Sequence, residues 1–132
     1  MTITQEIANW LENEAYGTIG EDIFVENLPA EVDYAITVSR GIAGRQDTYV
    51  PILRQVIDLY ARDYSSLDVE ALLQDIFNKL HARNEYTLTS GGVPVMQSEV
   101  QQPQFMGKDD SSRFMYKTQI VFFTRNPNNT NH

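Results

Sequence analysis

Cysteine is absent from this 132-residue sequence, and histidine occurs only twice. Without cysteine the chain can form no disulfide, no thiolate metal site and no cysteine nucleophile. His81 and His132 stand in no spacing typical of a metal site or of a Ser-His-Asp triad. His81 ends a predicted helix, where it is favourable near the negative end of the helix dipole without any catalytic role. The sequence therefore favours a protein that is not an enzyme and predicts no cofactor and no metal site.

Long apolar runs are also missing. No apolar stretch approaches the roughly 20 residues of a membrane-spanning helix. Residues 1–6 lack the basic and apolar blocks of a signal peptide. We therefore expect no membrane contact and folding in a reducing cytoplasm.

Basic residues are fewer than acidic ones, 10 against 18, which gives a formal net charge of −8. The basic residues are dispersed, and phosphate binding depends on Lys and Arg to displace counterions. This balance argues against nucleic acid as a tightly held ligand. A solvated acidic surface is the simplest interpretation, although it would also suit a passage through which DNA slides without sticking.

The hydrophobic content of 42% and the charged content of 21% are those of a soluble globular protein. We predict a single α+β domain over residues 1–125. Residues 126–132 read Asn-Pro-Asn-Asn-Thr-Asn-His, a composition that predicts a disordered tail.

Residues 48–83 are the segment around which the rest of the chain is organised. They begin as a strand with period-2 alternation. One strand face carries Leu53, Ile57, Leu59 and Ala61, and the other carries Arg54, Asp58 and Arg62. After Tyr64 the period becomes helical, with an apolar stripe of Val69, Leu72, Leu73, Ile76, Phe77 and Leu80. We expect the strand face and the stripe, including Phe77, to pack together as the core.

The remaining segments complete an α+β pattern. A first helix is predicted with Thr2 or Thr4 as its cap and Gln5 as a capping-box partner. Strands are predicted at residues 22–28, 34–40, 85–90 and 113–125, with an extended stretch at 93–105 and a polar turn at 107–112. The order α-β-β-β-α-β-β-β predicts two helices packed on one face of a largely antiparallel sheet.

The extended stretch at 93–105 is polar, rich in glutamine and interrupted by Pro94 and Pro103. Prolines confine a strand to a sheet edge or to a protruding segment. We predict an arm that reaches a neighbouring subunit, or a loop that becomes ordered on docking. A hairpin without any partner is the alternative.

Two motifs allow a chemical interpretation. Gly41-x-x-Gly44-Arg45 resembles part of a phosphate loop, but it lacks the Gly-Lys-Ser/Thr ending and no helix is predicted after it. Asp109 and Asp110 could contact a divalent ion and so serve a small metal-dependent hydrolase. Adjacent carboxylates in a polar turn are more commonly solvated.

Four segments follow an N-terminal helix and its glycine turn in the sequence. They are Asp-Ile-Phe-Val-Glu-Asn-Leu-Pro (22–29), Asp-Tyr-Ala-Ile-Thr-Val (33–38) with a glycine-rich loop after it, Val-Ile-Asp-Leu-Tyr-Ala-Arg-Asp-Tyr (56–64), and the stretch 102–114 before the last strand. In order and spacing, residues 3–124 resemble the tail terminator (tail completion) proteins of long-tailed bacteriophages, a group often labelled minor capsid proteins. The glutamine-rich stretch departs from that pattern.

This resemblance implies a structural protein of the virion, at the tail and neck, assembled in the host cytoplasm. Such proteins form a hexameric ring that caps the tail tube, ends tail polymerisation and joins the head. The implied partners are other copies of the chain, the tail-tube protein and the head-tail connector protein, with DNA only passing through the lumen. Another neck protein, such as a head-completion or adaptor protein on the portal, is the alternative.

A ring needs surfaces for its neighbours, and charged residues on the outward strand face and on the flanking loops are the candidates. The predicted subunit or partner interface comprises Arg45, Arg54, Asp58, Arg62, Lys108, Asp109, Asp110 and Arg113.

Overall fold

The computed structural model describes residues 2–41 and 52–125. These residues form two helices and a mostly antiparallel sheet of seven strands, so the α+β class is confirmed. The elements are α1 (Ile3–Asn13), β1 (Ile23–Val25), β2 (Ala35–Arg40), β3 (Ile52–Asp63), α2 (Ser66–Leu80), β4 (Arg83–Tyr86), β5 (Val95–Val100), β6 (Gln104–Lys108) and β7 (Phe114–Arg125). The predicted tail at 126–132 and the glycine-rich loop with Arg45 lie outside the described residues.

The sheet is built around β3 and β7, which pair antiparallel over twelve residues each, from Ile52 opposite Arg125 to Asp63 opposite Phe114. The strand order is β1-β2-β3-β7-β5-β4, and β6 also pairs with β7. Only the β1–β2 pair is parallel. β7 has a paired strand along each of its two edges, so it is an interior strand. Its two partly apolar faces agree with that position.

The predicted arm at 93–105 is wrong, because most of this stretch belongs to the sheet. β5 runs along the second half of β7, from Val95 opposite Thr124 to Val100 opposite Ile120, and β6 continues along the first half. Ser98 and Val100 are buried. Pro103 falls in the short gap between β5 and β6, where a residue without an N–H removes no ladder hydrogen bond.

The strand predicted at 85–90 begins earlier in the structure. β4 starts at Arg83, directly after α2, and ends at Tyr86, so residues 87–94 form a loop longer than a two-residue hairpin. The loop contains Gly91 at a φ of +73°, a conformation that glycine adopts without steric cost. Gly91 and Gly92 therefore indicate the position of the loop correctly, but strand β4 ends several residues before them.

The start of α1 follows the sequence prediction. Thr2 caps the helix, its hydroxyl accepts from the Gln5 N–H, and the Gln5 side chain accepts from the Thr2 N–H. This is a capping box. Ile7, Trp10 and Leu11 are buried as expected.

The apolar stripe of α2 is confirmed at its centre. Ser65 is the N-cap residue, and the fully buried positions are Val69, Leu73, Ile76 and Leu80. Leu72 and Phe77 are only partly buried at the margin of the stripe. Phe77 stacks on His81 with ring centroids 4.5 Å apart, so it borders the core instead of filling it.

The core joins one face of the sheet to both helices. By register Ile57 lies opposite Ile120 and Ala61 lies opposite Tyr116, so these residues share a face. They form one hydrophobic cluster with the buried residues of α1 and α2. Phe122, on the same face, is among the largest fully buried side chains.

We predict that Phe122→Ala lowers the free energy of unfolding by about 3–5 kcal/mol, since it leaves a cavity in a closely packed core. Phe77→Ala removes the same atoms at a partly buried position and is expected to cost less. Urea denaturation of both variants measures the difference. Equal losses would show that the two rings are equally important to the core.

Candidate assembly surface

The charged residues predicted to form an interface fall into two groups. Asp58 and Arg54 lie on β3, on the sheet face opposite the core, and the others gather at the turn between β6 and β7. Arg45 lies outside the described residues. The structure therefore brings together Arg62, Asp109 and Arg113, which are distant in sequence, and leaves Arg54 and Asp58 apart from them.

Asp109 organises the turn between β6 and β7. Its Oδ1 accepts from the backbone N–H groups of Ser111, at 3.0 Å, and of Arg113, at 2.9 Å. Its Oδ2 accepts from Nε of Arg113 at 2.8 Å. Partial burial alone would raise the pKa of Asp109, but these hydrogen bonds outweigh it and hold the pKa below its ordinary value. The Asp109 carboxylate therefore stabilises the turn through these hydrogen bonds.

Arg113 and Arg62 both extend from the turn to residues 29–33, the loop that precedes β2. Nη1 of Arg113 donates to the Val32 carbonyl at 3.0 Å and lies 3.4 Å from Oδ1 of Asp33. Nη2 of Arg62 donates to the carbonyls of Val32 and of Pro29, the latter at 2.5 Å. We call this group of Arg62, Arg113 and Asp109 the arginine clamp, because it fixes the loop against the turn.

Arg62 is only 4% exposed, although strand alternation predicts it to face outward. It does lie on the sheet face opposite Ala61, but the clamped loop covers it there. Burial lowers the pKa of Arg62, the nearby Arg113 cation lowers it further, and Asp109 opposes both. Its Nε is 4.0 Å from Oδ2 of Asp109 and has no hydrogen-bond partner. Arg62 and Arg113 therefore shape the surface, whereas Lys108 and Asp110 are exposed on it.

Asp58 is part of a polar strip across β3 and β7. Its Oδ1 accepts from Nε2 of Gln119 at 3.0 Å and lies 3.8 Å from Nζ of Lys117. The Lys117 ammonium also lies 5.5 Å from the ring centroid of Tyr60. Arg54 is exposed further along the same strand face. This face can therefore make polar contacts with a partner.

Four exposed apolar side chains at the sheet edges were not predicted. On β6, Phe105 is 51% and Met106 is 50% exposed, and the Phe105 ring centroid lies 5.3 Å from that of Tyr116. At the other side of the sheet, Ile19 is 39% and Val25 is 37% exposed. We call these pairs the β6 patch and the β1 patch. Sequence pattern could not find them, because exposure at an edge depends on which strands are neighbours.

Glu6 is a second unpredicted feature, since a glutamate in the first turn of a helix is normally a solvated partner of the helix dipole. Here it is buried beneath residues 89–93. Its Oε1 accepts from the Val93 N–H at 2.8 Å, and its Oε2 has no partner. It borders a cavity of about 290 Å³ together with Thr89 and Gly92. A Cβ on Gly92 would lie 2.0 Å from Oε1, so a larger residue at this position would force the Glu6 carboxylate to move.

Tyr16 and Tyr34 have the most strongly raised tyrosine pKa values among the described residues, each about 12. Burial is the main cause at both positions. Tyr16 also donates to the Asp75 carboxylate, and Nζ of Lys79 lies 3.3 Å from that carboxylate. The hydroxyl of Tyr34 donates to the Tyr16 carbonyl. These contacts connect the end of α1 to α2 and to the start of β2, which is a structural role.

Two features are absent from residues 2–41 and 52–125: a group of metal-ligating side chains and a helix that could span a membrane. No three histidine or carboxylate side chains are grouped there as a metal site would require. The hydrolase alternative relied on Asp109 and Asp110, but Asp109 is held by Arg113. No helix in this part of the chain has the length and apolarity needed to cross a membrane.

A profile of the bacteriophage tail terminator proteins matches residues 10–124, which include nearly all of the sheet and the second helix. The chain belongs to the bacteriophage tail terminator family. This tail terminator is therefore a structural protein of the virion tail, in a family that interacts with other tail proteins. The match confirms the resemblance seen in the order of segments.

A solved structure of another protein has the same fold as this tail terminator. It superposes with a TM-score of 0.55 over 92% of this chain and 89% of its own length, at 11% sequence identity. That likeness concerns the fold alone. No curated protein matches the chain in sequence.

We predict that Asp109→Asn loosens the β6–β7 turn and lowers the melting temperature at neutral pH. Because the pKa of Asp109 is lowered in the folded protein, its contribution is present above the unfolded-state pKa of about 3.9. It is lost as the pH falls through the folded-state value. The melting-temperature difference from wild type should therefore shrink on acidification, as measured by circular dichroism between neutral and acidic pH. Asp110→Asn, at the exposed neighbour, is the control and should show no such trend.

We also predict that Glu6→Ala destabilises the fold by about 1–3 kcal/mol, since the partly buried Val93 N–H loses its acceptor. Glu6→Gln keeps an oxygen at that place and is expected to retain more of the stability. Urea denaturation of the two variants tests the order. A Glu6→Ala variant as stable as wild type would show that the residue does not anchor the 89–93 loop.

Proposed function

We propose that this tail terminator assembles as a ring, hexameric in the finished virion, that caps the tail tube and ends tail polymerisation. In this proposal the other side of the ring provides the surface to which the head-tail connector binds, and DNA passes through the lumen. The family match over residues 10–124 is the observation that carries the proposal.

Two properties of the surface support a ring. A closed ring of identical subunits needs two different patches on each subunit, one complementary to the other. Among residues 2–41 and 52–125, the exposed apolar residues include those of the β6 patch and of the β1 patch, which are separate and differ in their residues. The net charge of −8 is compatible with a lumen through which DNA moves without being retained.

A phage that lacks this protein tests the capping role. We expect its tails to be overlong or ragged in electron micrographs and to fail to join heads. Supplying the protein in trans should restore uniform, joined tails. Tails of normal length without the protein would contradict the terminator function.

The structure to which the purified protein binds distinguishes a tail terminator from another neck protein. Purified protein should bind tail tubes and not portal-containing heads, and complexes on tails should contain six copies of the 15.1 kDa chain, roughly 91 kDa. Quantitative mass spectrometry of purified tails measures the copy number. Binding to heads alone would favour a head-completion or adaptor protein.

A further inference from the structure

Phe105 of the β6 patch and Ile23 of β1 lie at opposite ends of one continuous row of paired residues, and Val25 of the β1 patch follows Ile23 by two residues on the same strand. Across the sheet, Ile23 pairs with Ile36, Ile36 with Ala61, Ala61 with Tyr116, and Tyr116 with Phe105. The row crosses β1, β2, β3, β7 and β6 in that order. Four inter-strand spacings of about 4.8 Å place its two ends roughly 19 Å apart.

One residue of each patch, Phe105 and Val25, also points to the same side of the sheet. Phe105 pairs with Tyr116, which belongs to the core face, so Phe105 extends that face beyond the covered core. Val25 pairs with Val38, a core residue, and so lies on that same face. Side chains alternate between faces along a strand, so this agreement follows from the pairing register. If one edge met the other in a neighbouring copy, the two apolar side chains would fall on one continuous face.

Strand directions fit such a contact. β1 is parallel to β2, and each following step from β2 to β3, β7 and β6 is antiparallel. β6 therefore runs opposite to β1. A neighbouring copy that continued the sheet in the same sense would place its β1 antiparallel to β6, the arrangement that also gives the more stable ladder.

The charges beside the two patches are complementary. Residues 101–108 contain a single charged residue, Lys108, whose ammonium lies 4.8 Å from the Phe114 ring centroid. Residues 19–26 contain three acidic residues and no basic one: Glu21, Asp22 and Glu26. The ammonium of Lys108 is complementary in charge to the acidic residues beside the β1 patch, whereas the exposed Asp110, two residues after Lys108, carries the opposite charge.

From these observations we propose that the β6 patch of one subunit binds the β1 patch of the next, and that the occupant of each edge is a second copy of this chain. The contact is heterologous, and such a contact forms a closed ring when the rotation from one subunit to the next divides a full turn. Gly20 N donates to the Ile23 carbonyl and Ile23 N donates to the Thr18 carbonyl, so the loop before β1 already occupies part of that edge. The contact is therefore made mainly by the side chains of Phe105, Met106, Ile19 and Val25. This inference rests on the proposed ring function.

The absence of cysteine makes the contact testable by cross-linking. A chain with both Val25→Cys and Phe105→Cys carries one thiol in each patch. β1 and β6 are roughly 19 Å apart within a subunit by the strand spacing above, and Val25 lies two residues along β1 from that row, so the two thiols cannot form a disulfide inside one chain. Tails assembled with this variant are oxidised, or treated with a short bifunctional thiol reagent, and analysed by denaturing electrophoresis.

We expect a ladder of covalent multimers that ends at the closed ring, and only monomers from either single-cysteine variant. The pair Ile19→Cys with Met106→Cys provides an independent second variant if the first fails to assemble. Phe105→Cys combined with Leu67→Cys is the matched control, because Leu67 is 79% exposed on the first turn of α2, outside both patches. Cross-linking in the control equal to that of the test pairs would overturn the proposal.

The outcomes separate this contact from the ring function itself. Tails of normal length that contain the double-cysteine protein but give no cross-linked ladder would overturn the edge contact and leave the capping function intact. Failure of the wild-type protein to act on tails would instead reject the proposed function. A charge exchange gives a second measurement: Lys108→Glu should lower ring occupancy on tails, and Glu21→Lys in the same chain should restore it. A double variant no better than Lys108→Glu alone would count against the proposed pairing.

Discussion

The antiparallel pairing of β3 with β7 is the interaction on which the rest of the fold depends. These two strands are the longest in the sheet, and every other strand attaches to one of them directly or through one neighbour. Their shared face supplies Ile57, Leu59, Ile120 and Phe122 to the core that receives both helices. Burial of this apolar area is the dominant favourable term in folding, and the ladder satisfies the backbone groups that are buried with it.

The arginine clamp connects this scaffold to the surfaces available for assembly. Asp109 lies in the turn directly after β6, and Arg113 reaches back from the start of β7 to the loop before β2. Buried guanidinium groups that bond to carbonyls are costly to displace, because each lost contact leaves an unsatisfied polar group. The clamp therefore fixes the β6 edge relative to the loop that leads from β1. Arg62, Asp109 and Arg113 hold this turn and loop together, while the apolar side chains of Phe105 and Met106 on β6 are exposed.

Sequence pattern predicted those parts of the fold that depend on local chemistry. The capping box at Thr2 and Gln5, the buried stripe of α2 and the strand character of β3 all follow from spacings of a few residues. The sequence pattern failed for residues 93–105. Prolines and glutamines indicate the local conformational preference of a segment, but they do not show that β7 lies beside it. It failed at Arg62 and Glu6 for the same reason. Each is covered by a loop that is distant in sequence, 29–33 in one case and 89–93 in the other.

The pairing of β3 with β7 also decides when the chain can fold. Ile52 pairs with Arg125, so the central ladder cannot close until residues on both sides of α2 and the whole β4–β6 region have been synthesised. Sheets dominated by such non-local pairs fold slowly, on the order of milliseconds to seconds. While a ribosome is still making β7, one edge of β3 can pair with β2, but the other edge lacks its native partner. The nascent chain therefore passes through a period in which the edge of β3 that later pairs with β7 has no partner, and unpaired strand edges favour association between chains.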